Sequence, residues 1–405
     1  MKRLLLVADP VGGATSVQFD ILDSLAHGLG SRYELTVYTP HCDSMRGLAL
    51  LESHCQLIRP EGDGFPMDRV LQARGGGNES MLWAESWMRE ALLQRNAREA
   101  ADSLRGHEFD YVVNLSMTVP VPSDLWWILG TPLDQTIHGM ASVNVYARLA
   151  DRFAGRALAS LDEKVLERIR EKSLRIVANS PYLRDLYVSR GVPVEGVVYT
   201  LKDMSEFRPT TISPRRDYVL LYVGKETDRL DFRALLEAGV KVVGFGSKIP
   251  TGTKLKRLTK SIEWLGRVSK RKLVDLYANA LFTLFPFTCE PMGLVPIESM
   301  ACGTPVLTYG RQGPATTVVN NSTGWLVNTP DEMVAKATTI WRRGETGLSP
   351  EACVRRAQIF SGKRMVSELS SWIEGACPVD GVSDFISAST SWEVNRVASA
   401  ALGRA

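Results

Sequence analysis

The sequence predicts an α/β protein built from two Rossmann-like domains facing a central cleft, and three observations predict it. Short apolar runs alternate with helical stretches along the chain, the pattern of parallel βαβ units. The alternation comes as two series of similar size, separated by a stretch from Phe207 to Asp217 that carries two prolines, several Ser and Thr and three arginines. A length of 405 residues suits two such domains. The expected organisation is therefore an N-terminal domain over 1–206, a linker over 207–217, a C-terminal domain over 218–375, and a segment over 376–405 that packs back on the first domain.

In the first series the strands are expected at Arg3–Ala8, Glu34–Thr39, Gln56–Arg59, Asp110–Leu115, Leu133–His138, Arg175–Asn179 and Gly196–Leu201. Each is a short run rich in Val, Ile, Leu, Tyr or Thr bounded by polar or turn residues. Helices fit Thr15–Leu29, Glu79–Arg105, Leu158–Lys172 and Pro181–Arg190. In the second series the strands are Tyr218–Val223, Val240–Phe245, Ile262–Leu265, Leu281–Phe285 and Pro305–Thr308. The helices are Asp231–Ala238, Lys270–Asn279, Val295–Cys302, Asp331–Arg342 and Met365–Ile373. Gly75-Gly76-Gly77 marks a loop. Trp83 and Trp87 stand four apart on one helix face and read as core. Trp126-Trp127-Ile128-Leu129 suits core packing, an acceptor pocket or a membrane interface.

Composition narrows the class. Hydrophobic residues make up 44% and charged residues 23%, ordinary values for a globular protein, and a net charge of +3 is too small to argue for nucleic acid. The six cysteines (42, 55, 289, 302, 353 and 377) form no CxxC pair and read as thiols in a reducing compartment. The five histidines do not cluster, so no metal site is expected. The first apolar run ends at Asp9, too short for a signal peptide, and no window reaches the ~18 apolar residues of a membrane span. Lys248 to Lys272 holds nine Lys and Arg against one acid, Glu263, and reads as a solvated face or a surface for phosphate or anionic lipid.

The most informative stretch runs from Glu290 to Leu307. Two carboxylates, Glu290 and Glu298, stand eight residues apart with Gly293 between them, and Ser299-Met300-Ala301-Cys302-Gly303-Thr304-Pro305-Val306-Leu307 follows. The order is strand, loop, short helix, glycine stop, strand. It puts Glu290 on a loop at the C-terminal edge of a strand, where open α/β sheets bind ligands. The helix start would offer the N–H groups of Gly293, Leu294 and Val295 to an anionic phosphate. Ionised carboxylates only accept hydrogen bonds, which suits hydroxyl-rich partners such as sugars.

This stretch resembles the donor-site signature of the retaining glycosyltransferases of family 4, which have the GT-B fold: a glutamate, seven residues, a second glutamate, then a run ending in Gly-x-Pro-Val. The resemblance extends to Tyr222-Val223-Gly224-Lys225, to Leu265-Gly266 with the helix carrying Leu273 and Tyr277, to Gly313, and to Asn321 through Val327. It extends also to Gly12-Gly13, Ile137-His138-Gly139 and Asn179-Ser180 in the first half. It is sharp from roughly 262 to 327. There are departures. Lys225 stands where the family has arginine, Leu230 and Asp231 where it has Lys-Gly, with Arg229 adjacent, and Phe287 where it has serine.

The resemblance implies an acceptor-binding first domain, a donor-binding second domain and closure over both. It implies that Glu290 contacts the hydroxyls of the donor sugar, that Glu298 binds the nucleotide ribose, and that Gly293, Leu294 and Val295 meet the diphosphate. Lys225 and Arg229 would neutralise the leaving diphosphate. His138 would touch the donor sugar near the reaction centre, and Gly12 and Gly13 would form a donor- or acceptor-facing loop. The expected partners are a nucleotide-diphosphate sugar, such as UDP-glucose or GDP-mannose, and a hydroxyl acceptor that is a glycan, a lipid or a small molecule. Neither cofactor nor metal is expected, nor nucleic acid. The expected location is the cytoplasm, with peripheral membrane contact left open. Two alternatives keep the fold. One is a sugar-nucleotide epimerase or a phosphorylase. The other is a degenerate, binding-only subunit, suggested by the altered Lys225 and Leu230 positions. A nicotinamide dehydrogenase is disfavoured, because Asp9-Pro10-Val11-Gly12-Gly13 does not give Gly-x-Gly-x-x-Gly.

Overall fold

A computed structural model describes residues 1–9, 17–40, 51–60, 93–132, 145–200, 204–210, 214–223, 232–246 and 262–375. These residues form two sheets in which every pairing is parallel. The first comprises β1 (Lys2–Val7), β2 (Tyr33–Tyr38), β3 (Gln56–Ile58), β4 (Tyr111–Asn114), β5 (Ser123–Ile128), β6 (Ser173–Ala178) and β7 (Gly196–Val197), in the order β3-β2-β1-β4-β5-β6-β7. The second comprises β8 (Val219–Tyr222), β9 (Val242–Phe245), β10 (Glu263–Trp264), β11 (Phe282–Phe285), β12 (Val306–Tyr309) and β13 (Gly324–Val327), in the order β10-β9-β8-β11-β12-β13. Both orders reverse once, between β1 and β4 and between β8 and β11. In doubly wound sheets the ligand crevice opens at that reversal, at the C-terminal ends of the strands.

The strands form where the sequence supplies short continuous apolar runs, because helices cover both faces of a parallel sheet. Leu4, Leu6, Val219, Leu220, Leu221, Phe282 and Leu284 are all completely buried. One cluster of buried apolar side chains runs without a break from Leu4 and Val37 in the first sheet, through Leu369 and Trp372, to Tyr277 and Met300 beside the second.

Several expectations are corrected. The strand next to β4 is β5, which carries Trp126 and Trp127 at 1% and 0% exposure. The Trp127 ring nitrogen donates to Val198 O at 2.9 Å. Both indoles are core, neither at a membrane interface nor in an acceptor pocket. The expected strand Leu133–His138 lies outside the described residues, as do Trp83, Trp87, the Gly75 loop and most of the basic stretch after Lys248. The helix expected from Leu158 begins at Val145 and runs to Lys172. Its alanine-rich first turns favour helix strongly enough to carry the chain through Gly155. The second sheet gains β13, and a helix Pro350–Gln358 is added after the expected one, which spans Pro330–Arg343.

The return to the first sheet's layer is made by the helix Gly362–Ile373, whereas residues 376–405, to which that return was assigned, lie outside the described residues. Val366 sits directly over Gly28, and Trp372 over Gly196, each so close that an added methyl would have no room. Tyr33 OH donates to Glu374 at 2.8 Å.

Cys55, Cys302 and Cys353 are free thiols that burial pushes up to about 11, about 12 and about 12. Thiolate is the reactive form. All three are therefore expected to react with an aromatic disulfide reagent at pH 8 about a hundredfold more slowly in the native protein than in the unfolded one. Peptide mapping of the modified protein checks this, and rapid native modification of Cys302 would contradict it.

Candidate functional site

At the reversal of the second sheet, β11 ends at Phe285 and the chain turns into the loop carrying Glu290. Gly293 closes the loop at φ +93, in the left-handed region that a side chain would strain. The helix Leu294–Ala301 then starts, its face toward the sheet buried through Pro296, Ile297 and Met300. Cys302 ends it, and Gly303, at φ +81, turns the chain into β12.

The Glu290 carboxylate caps this turn. Its Oε1 accepts from the Met292 N–H at 3.2 Å and the Gly293 N–H at 2.9 Å. The N–H of Gly293, expected to face a phosphate, is therefore committed to Glu290. Leu294 and Val295 occupy the first two helical positions, where a helix has no internal partner for N–H groups, and Pro296 at the third has no N–H at all. The donors left for an anion at this helix start are thus the N–H groups of Leu294 and Val295.

Glu298, four residues into the helix, is 4% exposed and accepts from Tyr277 OH at 2.9 Å. Tyr277 comes from the helix Lys270–Asn279 and has no exposed surface. Burial, and then the adjacent Glu298, hold its hydroxyl well above the ordinary tyrosine range, so it remains a donor at any working pH. An aromatic wall adjoins Tyr277. Its edge meets Phe245 at 5.9 Å, Phe245 meets Tyr222 at 5.2 Å, and Tyr222 stacks on Phe287 at 5.3 Å. Phe287, where the resemblance implied a serine, is 5% exposed and lies flat on Phe285 at 4.3 Å. It packs into the core beneath the site rather than offering a hydroxyl to it.

The loop is tied from two other directions. Gln312 and Gly313, just past β12, bond to both backbone groups of Glu290, at 2.9 Å each. From the first domain, Ser180 Oγ donates to Pro291 O at 2.6 Å. Ser180 also caps the helix Pro181–Val188 by accepting from Leu183 N–H, so one fully buried hydroxyl joins the C-terminal edge of the first sheet to the Glu290 loop. Segments that follow the C-terminal ends of β6 and β11 therefore meet at this contact.

At the reversal of the first sheet, Asp9 ends β1. Its carboxylate accepts from Ser116 and Thr118 hydroxyls and from the N–H groups of Met117 and Thr118, in the loop after β4. It thereby ties the end of β1 to the loop after β4. Gly12 and Gly13, with His138, Lys225 and Arg229, lie outside the described residues, so of the expected site the structure brings together Glu290, Gly293, Leu294, Val295 and Glu298. Sequence reasoning missed Asp9, Gln312 and the bond from Tyr277 to Glu298. All join residues far apart in the chain, and only the position of Asp9 at a strand end gave a signal.

Comparison with known proteins agrees with this arrangement. Residues 252–357 match the family model described as glycosyl transferases group 1. A D-inositol 3-phosphate glycosyltransferase from Streptosporangium roseum is 30% identical over 238 residues, covering 50% of this chain and 54% of that protein. A GDP-mannose-dependent alpha-(1-6)-phosphatidylinositol dimannoside mannosyltransferase from Mycobacterium tuberculosis is 28% identical over 260 residues, 57% of this chain and 67% of that protein. The chain spans about half the length of the first curated relatives it matches. Among solved structures, sucrose-phosphate synthase from Thermosynechococcus elongatus superposes with a TM-score of 0.66 at 15% identity, over 93% of this chain and 99% of that one. Anabaena HepE in complex with UDP gives 0.59 at 13% identity, over 92% and 100%. The chain thus has the GT-B fold, and its second half is similar to glycosyl transferases group 1, as the resemblance of Glu290–Leu307 implied.

Proposed function

We propose that the protein is a retaining glycosyltransferase that moves a hexosyl unit from a nucleotide-diphosphate sugar to a hydroxyl acceptor, without a metal, in the cytoplasm. The observation that carries this reading is the helix start at the β8/β11 reversal, where two free N–H groups, a capping carboxylate and a buried carboxylate converge. The positive end of the helix dipole favours an anion there. The negative charge that grows on the diphosphate as the sugar leaves is then stabilised by Leu294 and Val295 N–H groups, with Lys225 and Arg229, which follow β8 in the sequence, assigned the same task. Glu290 takes the sugar hydroxyls and Glu298 the ribose.

In the proposed reaction the bond from the sugar carbon to the phosphate oxygen breaks, and the acceptor oxygen bonds to that carbon on the same face. The acceptor proton passes to the departing phosphate. No side-chain base is required, and His138 steadies the sugar. The Ser180–Pro291 contact supports a closed cleft, which limits water and thus donor hydrolysis. The names of the relatives, which act on inositol phosphate and phosphatidylinositol dimannoside, support a polyol or lipid-linked acceptor.

The test is incubation of purified protein with UDP-glucose, GDP-mannose and UDP-N-acetylglucosamine, with and without EDTA. Turnover of one donor, insensitive to EDTA and reduced about a hundredfold in Glu290→Ala, is the expected result. Absence of turnover and of nucleotide-sugar binding, together with unchanged behaviour in Glu290→Ala, would refute the reading. Binding of UDP or GDP without turnover would indicate the degenerate subunit instead.

A further inference from the structure

We propose that Gln312 is a positioning residue that holds the Glu290 loop in place from outside the motif. Gln312 follows β12 and stands at φ +65, one of three described residues other than glycine with a positive φ. A backbone in that region persists in a residue with a side chain only where its surroundings over-determine it. The surroundings here are two hydrogen bonds of opposite sense made by one side chain. The Oε1 atom accepts from the Glu290 N–H at 2.9 Å, and Nε2 donates to Thr288 O. Only a primary amide offers an acceptor and donors side by side on one planar group. The next residue adds a third bond, Gly313 N–H to Glu290 O at 2.9 Å.

The Glu290 loop lies beyond the end of β11, where the strand pairing of β11 with β8 and β12 has ended. Both backbone groups of Glu290 are instead held by the pair Gln312–Gly313. With its backbone fixed, Glu290 can turn its carboxylate onto the Met292 and Gly293 N–H groups, which sets the entry to the helix Leu294–Ala301. From this left-handed position the Gln312 side chain meets the loop at Thr288 and Glu290. Residue 312 therefore controls the pose of Glu290 without itself reaching a substrate. This role rests on the reading of Glu290 as a donor-sugar contact.

A purely conformational role for residue 312 makes the opposite prediction. Glycine relieves the left-handed backbone, so Gln312→Gly is expected to melt no lower than Gln312→Ala, yet it removes both side-chain bonds. Gln312→Glu keeps the acceptor for Glu290 N–H but sets a carboxylate oxygen against Thr288 O, and is expected to behave like the alanine variant.

The experiment uses the full chain and reads two quantities. The first is amide hydrogen exchange over residues 286–294 without any ligand, which is expected to rise about tenfold or more in Gln312→Gly and Gln312→Ala. The second is steady-state transfer. The kcat/KM for the donor is expected to fall 10- to 100-fold while the KM for the acceptor moves less than twofold, because misplacement by about 1 Å has an effect of that size. Unchanged exchange in Gln312→Gly would overturn the clamp, whether or not the protein is a transferase. Raised exchange with donor kcat/KM within twofold of an active wild type would overturn its role in positioning Glu290. A wild type that turns over no nucleotide sugar would instead defeat the functional reading, and the exchange measurement would still decide on the clamp.

Discussion

Gly313→Ala is expected to destabilise the protein by about 2–3 kcal/mol and to lower transfer by about a hundredfold. The reason is space rather than backbone conformation, since Gly313 has ordinary helical angles at φ −56 and ψ −43. A methyl group there would lie 2.3 Å from Met292 N and from the carbonyl carbon and oxygen of Pro291. All three are backbone atoms, so no side-chain rotation relieves the overlap. Either the short helix Pro314–Thr317 withdraws or the Glu290 loop is displaced, and each breaks the bond from Gly313 N–H to Glu290 O. Urea unfolding gives the stability change, and donor kcat/KM gives the effect on the site. Gly130→Ala is the control, because a methyl added there meets nothing within 4 Å. A Gly313→Ala protein with wild-type unfolding midpoint and activity would show that the two segments do not constrain one another.

Gly313 also shows what a single sequence can and cannot reveal. The glycine was legible as part of a resemblance, but the backbone it makes room for, 22 residues earlier at Pro291, was not. The parallel strands were legible because strands buried on both faces must be continuous apolar runs, as in Leu4–Val7 and Val219–Leu221. β5 escaped because Pro120 and Pro122 just before it signal a turn, and a Trp pair carries no alternation to suggest a strand. The start of the long helix at Val145 escaped because Gly155 reads as a break, which the alanines around it overcome.

At the site, local logic was legible and long-range partners were not. The strand–loop–helix order placed Glu290 and Glu298 correctly relative to the sheet edge. It offered three N–H groups to a ligand, however, where the structure leaves two, because the Glu290 side chain turns back on Gly293. A carboxylate three residues before an N–H can always make that bond, but nothing in sequence says whether it does. Likewise Gln312 is an ordinary polar residue in sequence, and its left-handed backbone depends wholly on the loop it meets. Ser180 was noted before a helix, and its cap is the local bond one would expect there. Its second bond crosses to Pro291 and depends on how the two sheets face each other.

Glu298 supports the other large effect. If its carboxylate accepts from the ribose hydroxyls, Glu298→Ala is expected to weaken UDP or GDP binding about a hundredfold, since each hydrogen bond to a charged group contributes about 1.5–3 kcal/mol. Loss of affinity alone would not establish the role, because Glu298→Ala also strips the fully buried Tyr277 hydroxyl of its partner, at a further cost of about 1–3 kcal/mol in stability. Tyr277→Phe separates the two contributions. It removes the same bond and leaves the carboxylate in place, so it is expected to lower stability by about 1–2 kcal/mol while weakening nucleotide binding less than Glu298→Ala does. The decisive comparison changes the ligand as well as the protein. Wild type is expected to bind the 2′- or 3′-deoxy form of its nucleotide diphosphate about tenfold more weakly than the ribose form, and Glu298→Ala is expected to bind both alike, because the hydroxyl then has no acceptor to lose. Calorimetric titration of the two proteins with the two ligands measures the coupling directly. An alanine variant that still prefers the ribose form as strongly as wild type would leave Glu298 as a buried partner of Tyr277 only.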